Sequence, residues 1–335
     1  MRLSRLLHDR LSRLGAALLV LFFGIAVFAP WLAPPEKPCP SAVYYVFPDW
    51  FLQPISRLPL FKARFGELPC RPYNIPRDGY SARPLPPSAD AWRSFPPDWR
   101  LHPMGTTQNR YDIYYGIVWG TRTSLFAGVV ITVATFLIGL VYGAVAGYYG
   151  GRFDGVAMRL LDILFAMPTF LMTLVIVAIL GRGLDKIVFV SILFGWTGYA
   201  RFIRGDVLSV RARDYVMASR ALGAGDLRLI FRHVVPNMIF PALILASLDI
   251  GSIVLGLAGL SFLGLGSGEN YADWGQMIAL ARNRIIGAAG GDFLQYWYTV
   301  VFPGAAIFLF VLGWNLIGDG VRDALDPRMA GSGRS

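Results

Sequence analysis

Leu125 to Gly147 reads LFAGVVITVATFLIGLVYGAVAG, twenty-three residues without a charge. As a helix this run is about 35 Å long, enough to cross the ~30 Å hydrocarbon layer of a bilayer. Comparable apolar stretches occur near 14–33, 160–180, 187–203, 238–263 and 299–317. The fourth of the six, 187–203, is short and ends at Arg201 and Arg204, and the fifth, 238–263, follows Pro236 and contains Pro241. Across all 335 residues 55% are apolar, only 16% are charged, and the mean hydropathy is +0.51. A soluble chain carries about 25% charge, so this surface is too poor in charge to face water throughout. The pattern predicts an all-α membrane protein with six transmembrane helices. Pro30 follows Ala29, the one small-residue cleavage point after the first run, so that run reads as a signal anchor and not a removable leader.

Charge in short loops sets the orientation. With the N-terminus inside, that side carries sixteen arginines, seven of them between Arg201 and Arg232, and the short outer loops carry four basic residues. Both termini are therefore expected in the cytoplasm. The net charge of +10 is then explained by the membrane and not by nucleic acid, since the basic cluster lies between two spans and no zinc-finger or RNP-like motif accompanies it. Lys37, Lys62 and Lys186 are followed by Pro, Ala and Ile, so there is no P-loop lysine and no ATP site of that kind.

Residues 34–100 are crowded with prolines and aromatics such as Pro34, Pro35, Tyr44, Tyr45 and Trp50. No helical period survives there, which predicts a loop-rich extracytoplasmic insertion between the first two spans. Both cysteines of the chain, Cys39 and Cys70, fall in it. On the oxidising side they can close a disulfide worth about 3–4 kcal/mol in the chain-entropy model; the alternative is two separate thiols. A lid over the pore and a contact for an external partner are both compatible with this segment. The chain then divides into 1–33, 34–121, a core at 122–320 with a loop at 210–237, and a tail at 321–335.

That loop contains Arg213-Asp214-Tyr215-Val216-Met217-Ala218-Ser219-Arg220-Ala221-Leu222-Gly223. Asp214 suits a helix start, Ala218, Ala221 and Leu222 favour the helix, and Gly223 suits its end. A second short helix follows from Asp226, carrying Leu227, Leu229, Ile230 and Phe231 as far as Val235-Pro236. Small residues would let another protein's backbone approach closely. A hairpin on the membrane surface is the other use of such a sequence.

The loop resembles the EAA loop of ABC importer permeases, with Met217-Ala218-Ser219, Gly223 and His233-Val234-Val235-Pro236 at the motif's places. The resemblance narrows to the C-type subunit of the dipeptide/oligopeptide/nickel permeases. His102-Pro103-Met104-Gly105-Thr106, Gly147-Tyr148-Tyr149-Gly150-Gly151, Leu260-Ser261-Phe262-Leu263-Gly264-Leu265-Gly266 and Gly318-Asp319-Gly320-Val321-Arg322 through Asp326-Pro327-Arg328 carry it over roughly residues 100–328. It implies the type I ABC importer permease fold in a bacterial or archaeal cytoplasmic membrane. It also implies a second homologous permease chain, two ABC ATPase subunits and an extracytoplasmic solute-binding protein as partners. ATP and Mg would sit on the ATPases, leaving no cofactor and no catalytic residue in this chain. Tyr215, Met217, Ala218, Ser219, Arg220, Ala221, Leu222 and Gly223 would form the coupling helix. Peptides are the implied cargo, with nickel chelates and oligosaccharides as alternatives. Three positions depart from the pattern: Met217 replaces the acidic residue that names the loop, Arg110-Tyr111 stands where Gly-Arg is usual, and Leu257 stands where relatives often carry Glu.

Ionisable residues inside spans cost about 2.5–3.5 kcal/mol on insertion scales and read as functional by default. Asp249 lies in the fifth span and is a candidate for the translocation path, where it would meet a cation such as a peptide amino terminus; an interhelical hydrogen bond is the plainer reading. Trp196 and Asn315 are further candidates for that path, with packing as their ordinary use. Asp162 lies three residues after Arg159 and is expected to pair with it. The glycines at 181–183 and 264–268 read as turns. No histidine lies in a span, so neither a metal site nor the convergent set of an intramembrane hydrolase is expected.

Overall fold

The computed structural model describes residues 10–56, 70–81, 83–285 and 295–325. Arg2, Arg5, His8 and the Asp326-Pro327-Arg328 end of the last motif lie outside them. Among the described residues five helices are long and apolar enough to cross a membrane, and a bent pair brings the number to six if it is one span. In chain order the main helices are α1 (Arg10–Leu32), α2 (Val43–Val46), α3 (Asp49–Ser56), α4 (Ile113–Tyr149), α5 (Gly151–Phe165), α6 (Thr169–Leu180), α7 (Leu184–Arg211), α8 (Asp214–Ala221), α9 (Asp226–Leu229), α10 (Val235–Phe262), α11 (Trp274–Ile285) and α12 (Tyr298–Leu325).

α4 is the central post. It starts at Ile113, well before the apolar run, because Asp112 caps it: Oδ1 accepts from the Tyr115 amide at 2.6 Å. Its glycines are spaced for contact. A Cβ on Gly139 would stand 2.8 Å from Trp196 O, one on Gly143 would stand 2.5 Å from Ala200 O, and one on Gly147 would stand 3.0 Å from Arg204 O. All three thus face α7, one turn apart, as a small-xxx-small seam that brings two backbones together.

The third crossing differs from the continuous span expected at 160–180. α5 and α6 meet at 73° across Ala166-Met167-Pro168. Pro168 has no amide to donate and pushes the residue before it out of helical geometry. Asp162 also differs from expectation. Sharing a helix face with Arg159 does not make the pair; Asp162 Oδ1 instead accepts from Arg201 Nη2 of α7 at 2.5 Å. Asp154 takes Arg204 in a bidentate pair at 3.0 and 2.5 Å. Arginine favours the helix, so α7 does not stop at the end of the apolar run and continues to Arg211.

α9 also runs on without the break expected at Val235-Pro236. Ile230–Val234 form a π turn that joins α9 to α10, and Pro236 falls in the first turn of α10. α1 belongs to the bundle: its Phe22 ring meets Trp274 and Phe310 at 6.0 and 5.3 Å.

Among its described residues the outer segment holds two short helices and two single 3₁₀ turns, and it is firmly tied down. Trp119 Nε1 donates to Ala33 O at 2.9 Å and Tyr115 Oη to Pro72 O at 2.7 Å. Ile75 and Tyr73 exchange backbone bonds with Asn270 and Ala272 in the α10–α11 loop. Arg122 donates to Tyr45 O. Cys39 and Cys70 are joined by a disulfide, Cα–Cα 5.5 Å. The segment is thus a cap wedged between the start of α4 and the α10–α11 loop.

Two outcomes are expected from these contacts. Gly143→Val inserts a branched side chain where even a Cβ lies 2.5 Å from Ala200 O, so it should cost about 1–3 kcal/mol by overpacking and lower the thermal midpoint in detergent. Gly155→Ala on α5, where a Cβ meets nothing within 4 Å, should hold or slightly raise that midpoint, since alanine favours the helix over glycine. In the cap, burial raises the Asp49 carboxyl from 3.8 to about 6, with Arg71 opposing. The folded cap therefore binds this proton more tightly than the unfolded chain, and the resulting stabilisation is complete below pH 4 and lost as pH rises through 6. Limited proteolysis of the cap should be slower at pH 5 than at pH 7, and Asp49→Asn should flatten that difference.

Candidate functional site

Two regions carry the sequence-predicted residues: the α8 loop and a groove between α7 and α10. α8 begins with Arg213 as its cap in extended geometry, without a side-chain cap bond. Asp214 is thus inside the first turn, where its charge favours the helix dipole, and is not the cap itself. The helix ends as expected at glycine. Gly223 has φ +84, its amide donates to Arg220 O at 3.0 Å, and the Ala224 amide donates to Ser219 O at 3.2 Å. This is the paired bonding of a Schellman stop.

One residue of α8 points inward. Val216 is buried with Leu229, Ile230, Val234 and Tyr148 in a cluster that reaches α7. Ser219 Oγ donates to Tyr215 O. Tyr215, Met217, Ala218, Ala221 and Leu222 all face solvent, as do Leu227 and Phe231 just beyond. Leu222 is 89% exposed and Leu227 70%, a strong apolar presentation for the end of one helix and the start of the next. The same spread includes the exposed Arg213, Arg220, Arg228 and Arg232.

Tyr148 fastens this loop to α4. Its hydroxyl donates to Asp226 Oδ1 at 2.6 Å and accepts from Arg220 Nη2 at 2.8 Å, and the Arg220 guanidinium lies 5.3 Å over its ring. Arg211 Nη1 donates to the carbonyls of Gly147 and Tyr148, each at 2.8 Å. So the Gly147–Gly151 motif is the anchor of the α8 loop. Sequence reasoning had the motif and the loop as separate marks and missed that they touch; nothing in their spacing, Tyr148 to Asp226, signals it.

In the groove, Asp249 Oδ2 accepts from Tyr199 Oη of α7 at 2.7 Å. The carboxylate therefore makes the interhelical bond, and it also walls a cavity of about 450 Å³ with Gly195, Gly198, Arg201, Phe202 and Leu245. A second cavity of about 420 Å³ shares Phe202 and Leu245 and reaches Arg322, so the two form one groove along α7 and α10. Trp196 and Asn315 wall neither cavity. Trp196 donates to Leu193 O in its own helix and its ring lies 4.9 Å from Tyr142; Asn315 is exposed on α12. The structure thus does not bring the three path candidates together.

His102 is accounted for outside the membrane. Its Nδ1 lies 2.8 Å from Asp112 Oδ2, so it orients the carboxylate that caps α4. Burial raises the Asp112 carboxyl, and the bond from His102 opposes that rise. Among the described residues no group of three His, Cys, Asp or Glu is placed to hold a metal ion.

Residues 139–331 match the family model described as "Binding-protein-dependent transport system inner membrane component". The chain belongs to that family. Residues 2–49 match a second model, the N-terminal TM domain of oligopeptide transport permease C. The dipeptide transport system permease protein of Bacillus subtilis (strain 168) is 34% identical over 77% of this chain and 75% of its own length. The di/tripeptide transport system permease protein of Pseudomonas aeruginosa (strain UCBPP-PA14) is 35% identical over 96% of this chain and 89% of its own. The nickel transport system permease protein of Escherichia coli (strain K12) is 36% identical over 77% and 86%. This permease is accordingly an ABC importer permease of the peptide/nickel family, a multi-pass inner membrane component whose relatives are permease subunits and not enzymes.

The Tyr148 anchor makes a prediction for the permease. Tyr148→Phe removes the hydroxyl that bridges Arg220 and Asp226, a charge-assisted link worth about 1.5–3 kcal/mol. Hydrogen exchange across 214–223 should speed up about tenfold or more, while exchange in the 125–145 part of α4 stays unchanged.

Proposed function

We propose that this permease imports di- or oligopeptides across the cytoplasmic membrane by alternating access, driven by ATP bound with Mg on two separate ATPase subunits. A second homologous permease chain completes the pore, and an extracytoplasmic solute-binding protein delivers the cargo. The observation that carries this reading is α8: a short helix with an apolar, arginine-flanked outer face, held from behind by Val216 and Tyr148. Such a helix transmits a push instead of absorbing it, and its exposed face suits a groove on a partner. The arginine count supports a cytoplasmic position for this face, with both termini on the same side.

Peptide cargo is favoured by relatives named for dipeptides, di/tripeptides and oligopeptides and by Asp249 in the α7–α10 groove, which suits a peptide ammonium. During transport the Tyr199–Asp249 bond would open as that ammonium takes the carboxylate.

Affinity purification from the native membrane tests the assembly. The wild-type chain should bring down a second six-span permease and P-loop ATPase subunits at stoichiometric yield. Leu222→Asp with Leu227→Asp should lose the ATPases and keep the second permease, because each exposed leucine contributes about 1.5–3 kcal/mol when covered. A chain that comes out alone, or as a homodimer without an ATPase, overturns the reading.

A further inference from the structure

The outer end of α7 carries a cavity that neither the coupling loop nor the Asp249 groove uses. It holds about 290 Å³ and lies between three segments distant in sequence: the cap near Asp49 and Arg71, the Arg182–Lys186 start of α7, and the α10–α11 loop at 267–271. Its walls are mostly polar, unlike those of the membrane groove. Three cations line it, Arg71, Arg182 and Lys186, against two acids.

The acids offset part of this charge and leave a surplus of one cation. Asp185 is already paired with Lys186 at 2.5 Å. Asp49 is buried, and it forms no ion pair with Arg71 or Arg182 among the described residues. The start of α7 also lies at the cavity wall. Gly183 caps that 28-residue helix without any side-chain bond, and Asp185 in the first turn offsets part of the positive end of the helix dipole. A neighbouring cavity of about 500 Å³ shares Arg71 and Asn74 and adds Lys37 and Arg77 against one acid, Glu36. The surplus cation and the helix terminus together favour an anion.

We infer that this cavity is a carboxylate site, which takes the C-terminal carboxylate of the peptide cargo as the cargo passes from the binding protein toward the membrane groove. The inference rests on the peptide-importer reading and deepens it. The site and the Asp249 groove then divide a zwitterion between them along one helix: the acid end is held at the N-terminus of α7, and the ammonium end is drawn to Asp249 about thirteen residues, or ~20 Å, further down the same helices. A dipeptide is too short to span that distance, at about 3.5 Å per residue, so it visits the two in sequence. The cavity is sized for the end of a small peptide and excludes a folded domain. An acidic side chain projecting from the binding protein is the other source of the same chemistry.

The complete transporter in proteoliposomes separates these sources. Uptake of dialanine is measured at saturating binding protein, and ATPase stimulation is measured as binding protein is titrated. Arg182→Gln with Arg71→Gln should lower the maximal uptake rate about tenfold or more, the effect of losing charge-assisted hydrogen bonds, and leave the half-saturating binding-protein concentration unchanged. Arg182→Lys with Arg71→Lys, which keeps both charges, should recover most of the rate and shows that the glutamine variant failed through charge and not folding. Arg83→Gln, an exposed cap residue outside both cavities, should behave as wild type. A shift in the half-saturating binding-protein concentration at an unchanged maximal rate assigns the site to the binding protein's own acid and overturns the peptide assignment. No change in either quantity overturns the site altogether. If the wild type itself imports no dialanine, the peptide reading fails first, and that result is visible before any variant is tested.

Discussion

The close approach of α4 and α7 at Gly139, Gly143 and Gly147 is the contact on which the rest of this molecule depends. Without side chains at those positions the α7 backbone lies directly against α4. In a bilayer there is no hydrophobic gain in burying one apolar helix against another, so such a contact must rest on packing and on polar pairs. Both are present here. Asp154 and Asp162 of α5 pair with Arg204 and Arg201, which ties α5 to α7.

That single long helix then serves both ends of the permease. At one end it leads into α8 and is tied to α4 through Arg211 on the Gly147 and Tyr148 carbonyls. At the other it supplies the Gly183–Lys186 wall of the cationic cavity. Midway it gives Tyr199 to Asp249. A displacement applied at α8 therefore acts on an element that reaches the membrane groove and the outer surface without an intervening hinge. The bend between α5 and α6 at Pro168 lies beside this helix, where the chain can change direction without breaking the α5–α7 ion pairs.

Much of this was legible in the residues. Six apolar runs marked six crossings, because a bilayer admits little else at that length and hydropathy. Gly223 marked the end of α8, because only a residue tolerant of positive φ fits there. The Pro- and aromatic-rich stretch marked the irregular cap. Other features were not legible for stated reasons. Asp162 took Arg201 and not Arg159, since the acid faces α7 and proximity along one helix does not fix direction. Trp196 turned to Tyr142 and Asn315 to the exterior, since polarity within a span says nothing about which side of a helix meets the groove. α4 began at Ile113 because Tyr114, Tyr115 and Trp119 are buried against the cap, a packing that no hydropathy window registers.

The sequence by itself determined that this chain is an all-α membrane protein and which loop presents a short helix ended by glycine. Those properties follow from local hydrophobicity, charge and backbone conformation, each readable over a few residues. Only the tertiary structure decided that Tyr148 joins α4 to Arg220 and Asp226, that Tyr199 holds Asp249, and that Arg71 of the cap stands beside Arg182 and Lys186. Each of these sets joins residues from dozens of positions apart, brought to hydrogen-bond or pocket distance by helix packing, and no local rule of sequence encodes that distance.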